Sequence, residues 1–250
     1  MDYDETYSPV AKLTTLRIVL AVGVHKNMYF HQLDVKTAFL YGNWDENVYL
    51  NVPEGMQVEE PDVVLKLQKS LYGLKQSPRC WNNKFNSTLI NLGFKRSAHD
   101  YCLYVRFKNS NTMYLLLYVD DVLIAGSSLD EINILKNELS KEFEMSDCGE
   151  LKYYLGTVVK YDRNVGIMKF NQIKSINKLL QDFRMEDCKG ARTPMEKGLQ
   201  LSEASSNETS TNPYRELLGR LMYLMLSVRP DLCYPVGYLG RFQQNPSEQH

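Results

Sequence analysis

The segment Met113-Tyr-Leu-Leu-Leu-Tyr-Val-Asp-Asp-Val-Leu-Ile-Ala125 sets two adjacent carboxylates between two apolar runs. That pattern predicts a β-hairpin with Asp120 and Asp121 together at its tip. Ionised carboxylates drawn out of water are costly unless they are paired or hold a metal. Mg²⁺ is a hard cation that takes oxygen ligands, commonly one or two protein carboxylates plus substrate phosphates. Two such ions about 3.5–4 Å apart activate an attacking oxygen and stabilise a leaving one. The plain alternative is a β-turn, in which aspartate is a common residue.

Upstream, Met28-Tyr-Phe-His-Gln-Leu-Asp-Val35 is rich in aromatic and β-branched residues and predicts a strand carrying Asp34 toward its end. A first helix is expected from Ser8-Pro9 to about Asn27, on Leu13, Leu16, Leu20 and Val24. Short strands are expected at 49–52 and 63–67, then a helix from Ser77-Pro78 to about Gly93 on Trp81, Phe85, Leu89 and Leu92. Strands follow at 100–107 and 113–119. Ile132, Leu135, Leu139 and Phe143 predict the next helix. A hairpin over 151–160 and 166–170 precedes a helix over 172–184. A polar linker fills 197–212, and Asn212-Pro213 opens a last helix ending at Arg229-Pro230. The mixed order predicts an α+β fold. In a split β-α-β arrangement, neighbouring strands would bring Asp34 to the Asp120-Asp121 pair.

The composition, 44 % apolar and 24 % charged over 250 residues, is that of a globular chain and excludes a disordered or fibrous one. The longest strongly apolar run, Leu115-Leu-Leu-Tyr-Val119, falls far short of the roughly 20 residues that cross a bilayer. No basic-then-apolar leader opens the sequence, so no signal peptide is read. Five scattered cysteines without a C-x-x-C read as reduced thiols in a reducing compartment. The four histidines show no ligand spacing with them, so no zinc is assigned. Neither G-x-S-x-G nor a P-loop occurs.

The net charge of −1 hides segregation. Residues 44–62 hold six acids and no base; residues 64–108 hold nine bases and one acid; residues 129–150 hold seven acids and two bases. The basic block is interleaved with Tyr72, Trp81, Phe85 and Phe94, as a polyphosphate partner would require, or else its bases line solvated faces.

Tyr118-Val-Asp-Asp121, with apolar residues on both sides, resembles the Y-x-D-D box of reverse transcriptases. Leu33-Asp-Val-Lys-Thr-Ala-Phe-Leu-Tyr-Gly42 resembles their first aspartate motif in its copia-type form, and Ser70-Leu-Tyr-Gly-Leu-Lys-Gln-Ser-Pro-Arg-Cys-Trp81 is similar to that group's template- and nucleotide-facing motif. Asp2-Tyr-Asp-Glu-Thr-Tyr-Ser-Pro-Val10, Tyr153-Tyr-Leu-Gly-Thr-Val158, Tyr214-Arg-Glu-Leu-Leu-Gly-Arg-Leu-Met-Tyr223 and Arg229-Pro-Asp231 match the same group. The blocks stand in the family's order over nearly the whole chain. The resemblance is to the reverse-transcriptase domain of copia-type LTR retrotransposon polyproteins.

That resemblance implies a right-hand polymerase fold, with a palm of split β-α-β (ferredoxin-like) type, partial fingers and a helical thumb. Palm and partial fingers would occupy 1–160 (fingers about 43–80) and a thumb-like segment 161–197. A linker would cover 198–212, and 213–250 would start a connection toward an RNase H domain. It implies RNA-directed DNA polymerase activity, by two-metal nucleotidyl transfer onto a primer 3′-OH. Asp34, Asp120 and Asp121 would be the catalytic acids holding two Mg²⁺, with Mn²⁺ as substitute, and the Val35 carbonyl would be a further ligand.

Phe39 matches the aromatic gate against a 2′-hydroxyl, or is ordinary palm core. Tyr72 and Gly73 would meet the nucleotide and templating base, and Lys75 and Arg79 would contact phosphates or simply be solvated. Tyr154, Leu155 and Gly156 match the primer-gripping hairpin, or form a plain core hairpin; Lys174 and Lys178 would face duplex backbone. The implied partners are a primed RNA or DNA template, deoxynucleoside triphosphates and the rest of a retrotransposon polyprotein. No membrane partner is implied, and the location is cytoplasmic, associated with virus-like particles.

Family members carry a cationic fingers hairpin ahead of the first matching block and an RNase H domain beyond the last. The expectation is thus of a domain truncated at both ends, with weakened triphosphate binding. A second expectation stays open beside the first: an inactive retroelement remnant that keeps nucleic-acid affinity through its basic block.

Overall fold

The computed structural model describes residues 5–44, 46–58, 62–202, 210 and 212–250. Asp45, Glu59 and Glu60 of the acidic stretch, residues 2–4 of the first matching block, and residues 203–209 and 211 of the linker lie outside the described residues. The chain divides into two compact units, Met1–Leu151 with Asp162–Ile167, and Lys152–Tyr161 with Met168–His250.

The first unit runs in order through α1 (Leu13–His25), β1 (Tyr29–Val35), a 3₁₀ turn (Ala38–Tyr41), β2 (Tyr49–Asn51), β3 (Val64–Lys66) and α2 (Ser77–Asn91). It continues with β4 (Lys95–Arg96), β5 (Leu103–Lys108), β6 (Asn111–Tyr118), β7 (Asp121–Gly126), α3 (Leu129–Glu142) and β8 (Met145–Glu150). Six strands form one antiparallel sheet in the order β4-β5-β6-β7-β1-β8; β2 and β3 form a separate ribbon. Strands β1, β6, β7 and β8, with α2 and α3 in the crossovers, follow a β-α-β-β-α-β order. The fold is α+β, as expected.

Alternation along β1 explains the layering. His31, Leu33 and Val35 point to one face, where α3 packs, and all three are buried. Phe30, Gln32 and Asp34 point to the other. Helix α1 covers that face at the Phe30 end, where Gly23 lies so close that a Cβ would overlap the Phe30 ring. At the far end Asp34 stays half-buried. Trp81 and Phe85 of α2 join Phe143 in an aromatic cluster with centroids 5.2–5.6 Å apart.

The second unit continues with β9 (Tyr153–Tyr154), β10 (Thr157–Asp162), β11 (Ile167–Asn171), α4 (Ile173–Asp182), α5 (Tyr214–Ser227) and α6 (Cys233–Leu239). Its three strands lie in the order β11-β10-β9. No helix among the described residues is long and apolar enough to cross a membrane.

Several local expectations are corrected. Helix α1 starts at Leu13 instead of Ser8, because tertiary bonds claim the residues before it: Ser8 donates to the Pro78 carbonyl (3.0 Å) and the Pro9 carbonyl accepts from the Cys102 thiol. The buried Asp100 carboxylate accepts the Lys12 N–H (3.0 Å) at the helix entrance and the Cys102 N–H (2.9 Å), so the strand expected from 100 begins at Leu103. Strand β8, a polar edge segment, and the short α6 were not expected. The hairpin tip is also different: Tyr118 pairs with Asp121, so the two turn residues are Val119 and Asp120, and Asp121 opens β7.

Candidate active site

Strands β1 and β7 pair in a register that sets Asp34 directly opposite Asp121. Cross-strand partners share a sheet face, so both carboxylates rise from the face that carries Gln32. Asp120 sits beside them in the β6–β7 turn. Its carbonyl accepts the Val35 N–H at 3.0 Å, which ties the turn to the strand carrying Asp34. Val119, ahead of it, has φ 59°, a left-handed conformation in which a β-branched residue is strained. The strained peptide is held: the Val119 carbonyl accepts the indole N–H of Trp81 at 2.7 Å, from a side chain only 2 % exposed. The structure therefore brings Asp34, Val35, Asp120 and Asp121 together.

The acids repel one another. Burial pushes the Asp121 carboxyl above its ordinary value; the Gln32 amide, donating at 2.9 Å, opposes this, and Asp120 and Asp34 push it further up. Lys36, which feels Asp34, spends its ammonium on Glu144 (2.8 Å). Cys148 lies at the bulge where β8 slips against Gln32 and Leu33; burial raises its thiol, as do Asp34 and Asp121. Among the described residues no group of three or more His, Cys, Asp or Glu side chains is placed to hold a metal ion by itself. Three carboxylates and a backbone carbonyl are nonetheless a hard oxygen set, and one or two carboxylates suffice for Mg²⁺ when phosphates complete its shell. The mutual repulsion at Asp121 is the kind of strain a divalent cation relieves.

Phe39 lies in the 3₁₀ turn after β1, with its ring 4.8 Å from that of Tyr72, so these two expected nucleotide residues meet. The Ser70 hydroxyl donates to the Phe39 carbonyl and fixes the turn. Phe39 also joins Pro78, Trp81 and Val119 around a cavity of about 330 Å³. Gly73 has φ 92°, and nothing lies within 4 Å of where a Cβ would stand, so its backbone is open to close approach. Lys75 is exposed. Arg79 turns to Glu5, at 2.7 Å from the carboxylate and 2.9 Å from the carbonyl. That pair is largely exposed, and such pairs exchange readily.

The basic block divides. Arg106 is buried against Phe94 (4.8 Å), with Glu131 at 3.4 Å, and Arg96 bonds Asn82 (2.6 Å) and lies 5.0 Å from the Tyr101 ring, so both serve the fold. Lys66, Lys69, Lys75, Lys95 and Lys108 are exposed.

Tyr154, Leu155, Gly156, Lys174 and Lys178 belong to the second unit. Tyr154 is buried, Leu155 and Gly156 form the β9–β10 turn, and Lys174 and Lys178 lie one turn apart, both exposed, on α4.

Three features escaped the sequence reading. Gln32 was discoverable, since a residue two before Asp34 on a strand shares its face. The Trp81 contact spans 38 positions and leaves no local trace. On the opposite face of β1 lies a third feature. The Lys136 ammonium meets His31 Nδ1 at 2.7 Å and both Asp147 oxygens at 2.7 and 2.9 Å. A lysine in the Ile132–Leu135–Leu139 stripe of α3 was the available signal.

The family described as Reverse transcriptase (RNA-dependent DNA polymerase) matches residues 1–197. The chain is 39 % identical over its whole length to the retrovirus-related Pol polyprotein from transposon TNT 1-94 of Nicotiana tabacum, and 38 % to that from transposon RE1 of Arabidopsis thaliana. It spans only 20 % and 17 % of those polyproteins. A putative transposon Ty5-1 protein of Saccharomyces cerevisiae is 34 % identical over 87 % of the chain and 71 % of its own length.

Proposed function

The chain belongs to the reverse transcriptase (RNA-dependent DNA polymerase) family, and from that premise we propose that it extends a primer by nucleotidyl transfer on an RNA or DNA template. The observation that carries the reading is the Asp34–Asp121 register, with Asp120 locked beside it by the Val35 N–H.

In this reading the six-stranded sheet with α2 and α3 is the palm, and the β2–β3 ribbon and the segment up to α2 are partial fingers. The helices of the second unit form the thumb and the start of a connection toward an RNase H domain. Asp34 and Asp120 would hold two Mg²⁺ (or Mn²⁺), with Asp121 as the third acid and the Val35 carbonyl as a further ligand. When bound, the ions neutralise triphosphate charge and favour the ionised primer 3′-oxygen.

The chain's own groups would do the positioning. The Phe39 ring, backed by Tyr72, would close the space a 2′-hydroxyl needs. Open backbone at Gly73 would admit the base pair, and Lys75 and Arg79, the latter released from Glu5, would take phosphates. Leu155 and Gly156, with Tyr154 beneath them, would hold the primer end while Lys174 and Lys178 meet duplex backbone. The partners are a primed template, deoxynucleoside triphosphates and the remainder of a retrotransposon polyprotein, and the setting is the cytoplasm, within virus-like particles.

Primer extension on poly(rA)–oligo(dT) with Mg²⁺ tests this. Wild type should extend, and Asp120→Asn should lose about 10³-fold or more with its folding unchanged. Equal extension by the variant would sink the site; no extension by a folded wild type would leave at most nucleic-acid binding.

A further inference from the structure

The hairpin between β9 and β10 closes in two residues, Leu155 and Gly156, flanked by the pairs Tyr154–Thr157 and Tyr153–Val158. Both turn residues are left-handed, at φ 45° and 72°, which is the type I′ geometry. Glycine adopts this freely, but leucine does not. The turn is therefore one whose conformation asks for outside support.

That support comes from α5. The Tyr223 hydroxyl donates to the Leu155 carbonyl. It also fills the space where a side chain at residue 156 would start: a Cβ on Gly156 would collide with the Tyr223 oxygen and stand 3.4 Å from its ring carbon. Gly156 is thus required twice, for its φ and for this approach.

Helix α5 is itself tied down. Arg220 bonds Asp182 of α4 (2.5 Å) and Glu216 (2.7 Å), and the Tyr214 hydroxyl bonds the Leu239 carbonyl (2.8 Å). The Tyr214–Tyr223 block was singled out in the sequence without a role, and it lies beyond residue 197, where the family match ends.

We propose that Tyr223 is a positioning residue: it sets the carbonyl direction of Leu155 and the shape of the 155–156 turn, and through that turn the primer terminus. This rests on the polymerase reading given above. It makes the segment after the linker part of the polymerase machinery.

The test uses the full chain carrying Tyr223→Phe, which keeps the ring and removes the hydroxyl. Hydrogen exchange across 152–160 should quicken about fivefold to tenfold, the factor that one hydrogen bond's net contribution corresponds to, while α2 and α3 stay as in wild type. In single-turnover extension of a bound primer, the rate constant should fall about tenfold, with the active fraction and primer–template affinity kept within about twofold. A cycle with Gly156→Ala supplies the signature: the double variant should react faster than Gly156→Ala alone, because the colliding oxygen is gone.

Unchanged exchange at 152–160, or effects of the two substitutions that simply multiply, would overturn the contact whatever the chain catalyses. A loss confined to the active fraction, with the rate constant intact, would overturn the positioning role. A folded wild type that extends no primer removes the polymerase reading and with it the catalytic half of the proposal; the exchange measurement still decides the contact.

Discussion

Charged groups lie against both faces of strand β1, and the two faces treat them oppositely. On one, Lys136 of α3 is only 9 % exposed yet holds both Asp147 oxygens and faces His31, so the protein supplies cation and anion together. On the other, Asp34, Asp120 and Asp121 crowd each other, and the amide of Gln32 is the polar group aimed at Asp121. In the first cluster the chain supplies both the cation and its anion. The other is an excess of negative charge on a strained turn, braced through backbone carbonyls by Trp81 and Val35. In the polymerase reading that excess is what a bound cation would neutralise.

The widest separation between the faces comes from neutralising one acid on each. Asp34→Asn should cut primer extension about 10³-fold. Without divalent ions, its resistance to urea should match or exceed wild type, since a repulsion has been removed. Asp147→Asn should do the reverse. It leaves a buried ammonium short of its anion, at a cost of about 2 kcal/mol, below the usual range for breaking a buried pair because Asp147 is itself about half exposed (55 %). Extension per folded molecule should hold within about twofold. Equal destabilisation by both substitutions would erase the contrast.

A smaller effect probes the brace. Trp81→Phe keeps an aromatic ring among Phe85 and Phe143 but leaves the Val119 carbonyl without its donor. The expected loss is about 1–2 kcal/mol in urea unfolding, from one unmade hydrogen bond and slight underpacking. Extension per folded molecule should also fall, because the peptide ahead of Asp120 is free to leave its strained geometry. A loss of stability with full activity would show that the turn holds itself.

Much of this contrast is legible in the amino-acid sequence. The apolar runs around Asp120-Asp121 and the aromatic strand carrying Asp34 are local patterns, and both elements form there, with the hairpin turn one residue earlier than the residues predict. The registers were not readable: nothing in the sequence of β1 says that Asp34 meets Asp121, a partner 87 positions away. Strand β8 was hidden because Met-Ser-Asp-Cys-Gly-Glu has neither alternation nor β-branched residues, and it pairs through a bulge at the sheet edge. Helix α6 was masked by Pro230 and Pro235, of which the first opens a 3₁₀ turn beyond α5 while the second sits within α6. The paired cluster on the opposite face was hidden for a different reason. Lys136 stands in the apolar stripe of α3, and nothing local to it names His31 or Asp147 as its partners.

The smallest effect follows from pH and separates the faces by sign. Burial, and then Lys136, hold the His31 imidazole below its ordinary value. As pH falls through about 6.5 the unfolded chain takes up a proton that the folded chain resists. Stability from this group is therefore complete above that pH, is lost below it, and levels off beneath the folded value. Asp147 acts in the same direction at lower pH: burial pushes it up, but the Lys136 bond and the Gly149 N–H prevail and hold it down, so its contribution disappears as pH falls through its folded value. Asp121, pushed up, runs the other way, with stability gained as acid neutralises it. Between about pH 7.5 and about 5.5 the histidine acts first, and the urea midpoint should fall. His31→Gln keeps an acceptor for Lys136 but cannot titrate, and its midpoint should stay flat over that range. An identical slope in the variant would move the effect away from His31 and from this face.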